Sequence, residues 1–123
     1  MWKRDKMKRK ILGLVEIVYI KGKYSNGKSR ELKVRAKIDT GATRSSISKT
    51  LVRKLRFGKA RRTAIIKSAF GKERRKLIKI PIRLRGKVLK AFFSIADRRH
   101  LAHRVLIGQN VLRMGKFLID PLK

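Results

Sequence analysis

Ala36-Lys37-Ile38-Asp39-Thr40-Gly41-Ala42 is the stretch of this 123-residue chain on which the fold turns. It closes a run in which Leu32, Val34, Ala36 and Ile38 alternate with Lys33, Arg35 and Lys37. A period of two places the apolar set on one face of a strand and the cations on the other. The strand runs into Asp-Thr-Gly, a tight turn that presents a carboxylate, where Gly41 permits close backbone approach. Two such turns meeting across a two-fold axis would set two carboxylates around one proton, one a base toward water and the other an acid toward a carbonyl.

Working outward, Ile11 to Ile20 reads as a buried strand. The turn signal Ser25-Asn26-Gly27 joins it to the Leu32–Ile38 strand in a hairpin. Over Ser46 to Phe57 the period changes: Ile47, Leu51, Val52 and Leu55 make a helical stripe that Ser48 can cap and Gly58 ends. Thr63 to Phe70 is a strand, with a turn expected at Gly71-Lys72. Ile78, Ile80, Ile82 and Leu84 alternate around Pro81, which cannot donate to a ladder and so predicts an edge or a bulge. Arg85-Gly86-Lys87 turns the chain into Val88 to Ala96. A short buried run at Val105 to Gly108, a helical turn at Gln109 to Leu112 and a last strand at Phe117 to Ile119 follow. The pattern predicts a basic arm over residues 1–10 and one mostly-β domain over 11–123, with one or two short helices.

Composition narrows the function. The chain carries 37 Lys and Arg against 7 Asp and Glu, a formal net charge of +30, while 42% of its residues are hydrophobic. A small domain usually carries a charge of magnitude about 2–8, so the excess points to a polyanionic partner. The apolar fraction argues against a disordered tail. With no cysteine, disulfide scaffolds, zinc ribbons and thiol nucleophiles are excluded. Glu16 interrupts the only stretch that looks like a secretory leader, and no run approaches a membrane span of about 20 apolar residues. The expected setting is the cytoplasm, with no membrane partner. Few Asn and Gln beside many Lys, Arg and Ile hint at a thermophilic source.

The Asp-Thr-Gly-Ala turn is paired downstream with Val105-Leu106-Ile107-Gly108-Gln109-Asn110-Val111-Leu112. Together they resemble the retropepsin-like aspartic proteases. The residues around the turn and the closing Gly115-Lys116-Phe117-Leu118-Ile119-Asp120 look closest to a prokaryotic branch described as ATP-dependent zinc proteases. The resemblance spans residues 11–121 and implies a single-domain closed β-barrel with Asp39 at the base of a cleft. Asp39 would be catalytic, with Thr40 and Gly41 shaping its turn, and an active unit would be a homodimer. A hairpin around Lys76 to Leu89, or its neighbour around Gly71, would be the flap. One departure is Gln109, where many retroviral relatives have an arginine that ties the turn to an acid; Thr43-Arg44-Ser45-Ser46 offers no such acid. No metal and no cofactor are expected: His100 and His103 sit among Arg98, Arg99 and Arg104, a zinc site collects three or four ligands, and no Gly-rich phosphate loop is present.

The basic residues cluster in four places: Lys3, Arg4, Lys6, Lys8, Arg9 and Lys10 in the arm; Arg53, Lys54, Arg56, Lys59, Arg61 and Arg62 along the helix and its exit; Lys72, Arg74, Arg75, Lys76, Arg85 and Lys87 in the hairpins; and Arg98, Arg99 and Arg104 in a late loop. Charge wrapped around a domain suits burial in folded RNA better than one groove. The charge therefore predicts an RNA-binding structural protein, a small ribosomal protein touching rRNA phosphates and neighbouring ribosomal proteins. The alternative is a homodimeric retropepsin-like aspartic protease using Asp39.

Overall fold

Alternating apolar residues become a ring of strands. The computed structural model describes residues 9–98 and 101–123. Among these the chain forms β1 (Ile11–Leu12), β2 (Val15–Lys23), β3 (Ser29–Ile38), β4 (Ser45–Ser48), α1 (Lys49–Lys54), β5 (Arg62–Ser68), β6 (Gly71–Leu84), β7 (Lys87–Ala96), β8 (Val105–Ile107), α2 (Gln109–Met114) and β9 (Leu118–Ile119). The arm residues Lys3, Arg4, Lys6 and Lys8, with Arg99, lie outside the described residues.

β2 pairs antiparallel with β3 from Val15↔Lys37 to Lys23↔Ser29. The ring continues through β8, β4, β7 and β6. It closes where Ile82, Arg83 and Leu84 of β6 return to Ile20, Tyr19 and Val18 of β2. Closure leaves six strands without a free edge at the core. Val18, Ile20, Ala36, Ile38, Ile47, Ile80, Ile82, Phe93, Val105 and Ile107 turn inward and are buried. α1 adds Leu51 and Leu55 to that core, and α2 adds Val111 and Leu112.

β6 is longer than the barrel needs. Its first half pairs with β5, from Ser68↔Gly71 to Arg62↔Leu77, as a hairpin extending from the ring. β1 and β9 form a separate parallel pair, Ile11↔Leu118 and Leu12↔Ile119, that joins the two ends of the domain.

Three local expectations change and a fourth holds. Ser46–Ser48 is strand rather than helix: β4 lies between β7 and β8 and pairs with both, so ladder bonds override the helical stripe. α1 keeps only the stripe's later part, and Ser48 Oγ does cap it, accepting the Leu51 N–H at 3.2 Å. The run from Ile11 to Ile20 breaks after Leu12, where Gly13 N–H donates to Glu16 Oε2 at 2.6 Å. The β5–β6 turn is Ala69-Phe70, and Gly71, at φ +115°, already belongs to the strand. Pro81 does stand at a local edge: it faces Lys90 of β7, while the ladder to β2 stops at Ile82, so its missing N–H costs nothing.

Candidate active site

The turn after β3 is built on backbone bonds to the segment after β8. Asp39 N–H donates to Ile107 O at 2.9 Å, and Ala42 N–H reaches back to Asp39 O at 3.2 Å. Asp39 Oδ1 accepts the Gly41 N–H at 3.0 Å, which orients the carboxylate over its own loop. Gln109 N–H donates to Ala42 O at 2.7 Å and Asn110 N–H to Thr43 O at 3.2 Å. The loop lies so close that a β-carbon on Gly108 would stand 2.6 Å from Arg44 O and 2.8 Å from Ala42 O. Only glycine fits there.

Side chains reinforce this seat. Gln109 Nε2 donates to Thr40 O at 2.9 Å, so at the position of the departure an amide holds the turn directly. Asn110 Oδ1 accepts from both Ser45 N–H (2.9 Å) and Ser45 Oγ (2.8 Å), and its Nδ2 donates to Phe92 O at 2.8 Å. Ser45 Oγ in turn accepts the Gly108 N–H at 2.9 Å. This knot ties β4, β7 and α2 beneath the turn. Sequence reading missed Ser45 and Asn110; the Gly-Gln-Asn run after a buried strand was the available signal.

A cavity of about 520 Å³ opens beside the turn. Gly41, Ala42, Thr43 and Arg44 border it, with Ser46, Ser94 and Leu106 from the barrel wall, and Ile65, Ile66, Lys67 and Arg75 from the β5–β6 hairpin. The hairpin around Gly71 thus contributes one wall of the cleft. Arg98 completes the lining: its Nε donates to His103 O at 2.9 Å and its Nη1 to Ser46 Oγ at 3.0 Å. Partial burial lowers the Arg98 pKa, Arg75 lowers it further, and Asp39 pulls it back up.

Of the basic residues singled out in the sequence, Arg75 and Arg98 meet at this cleft. Lys87 serves a structural purpose, its Nζ donating to Gly115 O at 2.7 Å at the end of α2. Arg85 stands 3.9 Å from Glu16, and Arg62 lies over the Phe92 ring. Arg53, Lys54, Arg56, Lys59, Arg61, Lys72, Arg74, Lys76 and Arg104 are exposed. Arg9 borders a shallow hollow with Thr40 and Gln109. Arg44 and Lys67 of the cleft were not foreseen.

Residues 26–114 match the profile of the family described as "gag-polyprotein putative aspartyl protease". The chain belongs to this family. Two solved structures share the fold of this gag-type protease domain. Protein Lpg0085 of Legionella pneumophila subsp. pneumophila str. Philadelphia 1, of unknown function, is 18% identical with a TM-score of 0.62, over 93% of this chain and 95% of that one. The solution structure of the Simian Foamy Virus (mac) protease is 14% identical with a TM-score of 0.56, over 80% of this chain and 91% of that one. None of the curated proteins matches. Among the described residues, no cluster of three or more His, Cys, Asp or Glu is placed to hold a metal, and no helix is long and apolar enough to cross a membrane.

Proposed function

We propose that the chain is an aspartic endopeptidase that works as a homodimer, each copy contributing Asp39. The observation that carries this reading is the seat of Asp39: a carboxylate held by Gly41 N–H in a turn clamped from α2, beside a cleft. Each chain supplies one such turn, so a second copy must supply the other carboxylate. Two carboxylates that close share one proton, because both cannot ionise together. The ionised one takes a proton from water as it attacks the peptide carbonyl, and the protonated one donates to the carbonyl oxygen. The β5–β6 hairpin would close over the substrate and exclude bulk water.

Thr40 and Gly41 are exposed, which leaves the turn accessible to a partner copy. Ile11, Leu14 and Leu122 are 43%, 53% and 96% exposed, and the Leu14 carbonyl accepts the Ile38 N–H next to Asp39. These apolar side chains give a dimer something to bury. The family match and the cleft favour the peptidase over the ribosomal structural protein that charge alone suggests.

The test is cleavage of a peptide library by the purified chain between pH 3 and 7. Specific activity should rise with protein concentration, as expected for a dimer, and Asp39→Asn should bring it to background without changing the circular dichroism. Cleavage that survives Asp39→Asn, or none by the wild type at any concentration, overturns the proposal.

A further inference from the structure

Most of the charge is not at the cleft. Among the described residues three ion pairs form, Arg75–Glu73, Arg83–Glu31 and Arg85–Glu16, and the outer wall of the β2–β3 hairpin is basic. Lys33, Arg35 and Lys37 are exposed on β3. Alternate positions on a strand stand about 6.7 Å apart, a repeat close to that of successive phosphates on an extended nucleic-acid strand. From Ile17 to Ile38 the only acid is Glu31. Arg83 occupies it, with Nη2 at 2.7 Å, and that bond holds the Glu31 pKa below the ordinary carboxylate range. Among the described residues, none of the ion pairs takes up Lys33, Arg35 or Lys37.

The wall also carries an aromatic ring. Tyr19, in register with Lys33, lies under the Arg83 guanidinium at 4.1 Å. Tyr24, with Arg30 at 4.6 Å over its ring, belongs by alternation to the opposite face of the hairpin. A row of cations flanked by an aromatic ring and a planar guanidinium group suits single strands, whose phosphates pair with the cations and whose unpaired bases stack. An acidic polypeptide would use the cations and ignore the ring.

We propose that the outer face of the β2–β3 hairpin, through Lys33, Arg35, Lys37 and Tyr19, binds single-stranded nucleic acid. The site is separate from the cleft and does not depend on peptidase activity. At its far end Lys37 stands in register with Leu106, which lines the cleft, so a bound strand runs toward the cleft mouth.

Fluorescence anisotropy of the full chain with labelled 12-mers of oligo(U) and oligo(dT) tests this, the two arms separating RNA from DNA as the source. The triple variant K33E/R35E/K37E is set against K49E/R53E/K54E, which makes the same charge change at exposed positions of α1. The stripe variant should weaken binding more than tenfold and lower the salt slope by about 2, at roughly 0.7 per phosphate on a single strand. The α1 variant should cost under threefold. Tyr19→Leu, which keeps an apolar side chain and removes the ring, should weaken oligonucleotide binding at least about fivefold while leaving polyglutamate binding unchanged. Arg35→Gln, a single neutral change, gives the same reading on a smaller scale if the triple variant unfolds. Equal losses in the two triple variants, equal competition by polyglutamate at matched charge, or no binding of either oligonucleotide at low salt would each overturn the site.

Discussion

Asn110 and Gln109 are neighbours with opposite economies. Asn110 answers three groups at once, the Ser45 N–H and hydroxyl and the Phe92 carbonyl, all in the part-buried seam between β4, β7 and α2. Asn110→Ala leaves those groups unanswered, and a single stranded polar group costs about 1–3 kcal/mol. A loss of about 3 kcal/mol in unfolding free energy is expected, read as a lowered urea midpoint. Gln109 makes one exposed bond, to Thr40 O. Gln109→Ala should cost about 0.5–1.5 kcal/mol of stability yet lower kcat more than it changes KM, because it frees the turn bearing Asp39. If the two variants lose stability equally, the division of labour is wrong. The Asp-Thr-Gly turn was legible because its chemistry is local, three adjacent residues and one carboxylate. The Ser45–Asn110 knot was not, since its members lie 65 positions apart and meet only once the barrel has closed.

At the scale of elements, the β5–β6 hairpin is the part of the fold with the least support. β2, β3, β8, β4, β7 and the second half of β6 each have a neighbour on both sides of the ring, whereas β5 pairs with β6 alone. Its side chains contribute little to the core: Ile65 is half exposed, and the turn residues Ala69 and Phe70 are exposed. Local opening is easiest where few buried contacts are lost. Amide hydrogen exchange should therefore be fast from Arg62 to Lys76 and slow in β2, β3 and β7. Uniform protection across the barrel and hairpin would remove this segment as a moving cover. Strands with strict alternation, β3 and the second half of β6, were readable from their period. β4 was not: Ser45-Ser46-Ile47-Ser48 has no alternation because all four residues are buried, Ile47 in the core, Ser45 against Asn110, Ser46 at the cleft and Ser48 capping α1. Its serines are stabilised by hydrogen bonds, such as Arg98 Nη1 to Ser46 Oγ, that no hydropathy pattern announces.

For the whole molecule, the peptidase reading and the charge pull against each other. A homodimer brings together two chains that each carry a formal +30, and like charges on facing surfaces oppose association. The exposed apolar residues Ile11, Leu14 and Leu122 pull the other way, and burying them is insensitive to screening. Raising salt shortens the Debye length from about 10 Å at 0.1 M to about 3 Å at 1 M, which removes repulsion between exposed charges and spares the apolar contact. Dimerisation, followed by sedimentation velocity, should therefore strengthen as sodium chloride rises from 0.1 to 1 M. At equal ionic strength sulfate should strengthen it further, because its exclusion from protein surfaces favours burial. Peptidase activity per chain should follow the dimer fraction. A dimer that weakens with salt would mean that ion pairs hold the interface, and the apolar surface around β1 and β9 would lose its role. If the outer wall of β2 and β3 binds nucleic acid, short oligonucleotides should act as concentrated counter-ions, promoting the dimer at concentrations far below those at which chloride does. The excess charge then makes a bound polyanion a far more effective promoter of the encounter of two copies than simple salt.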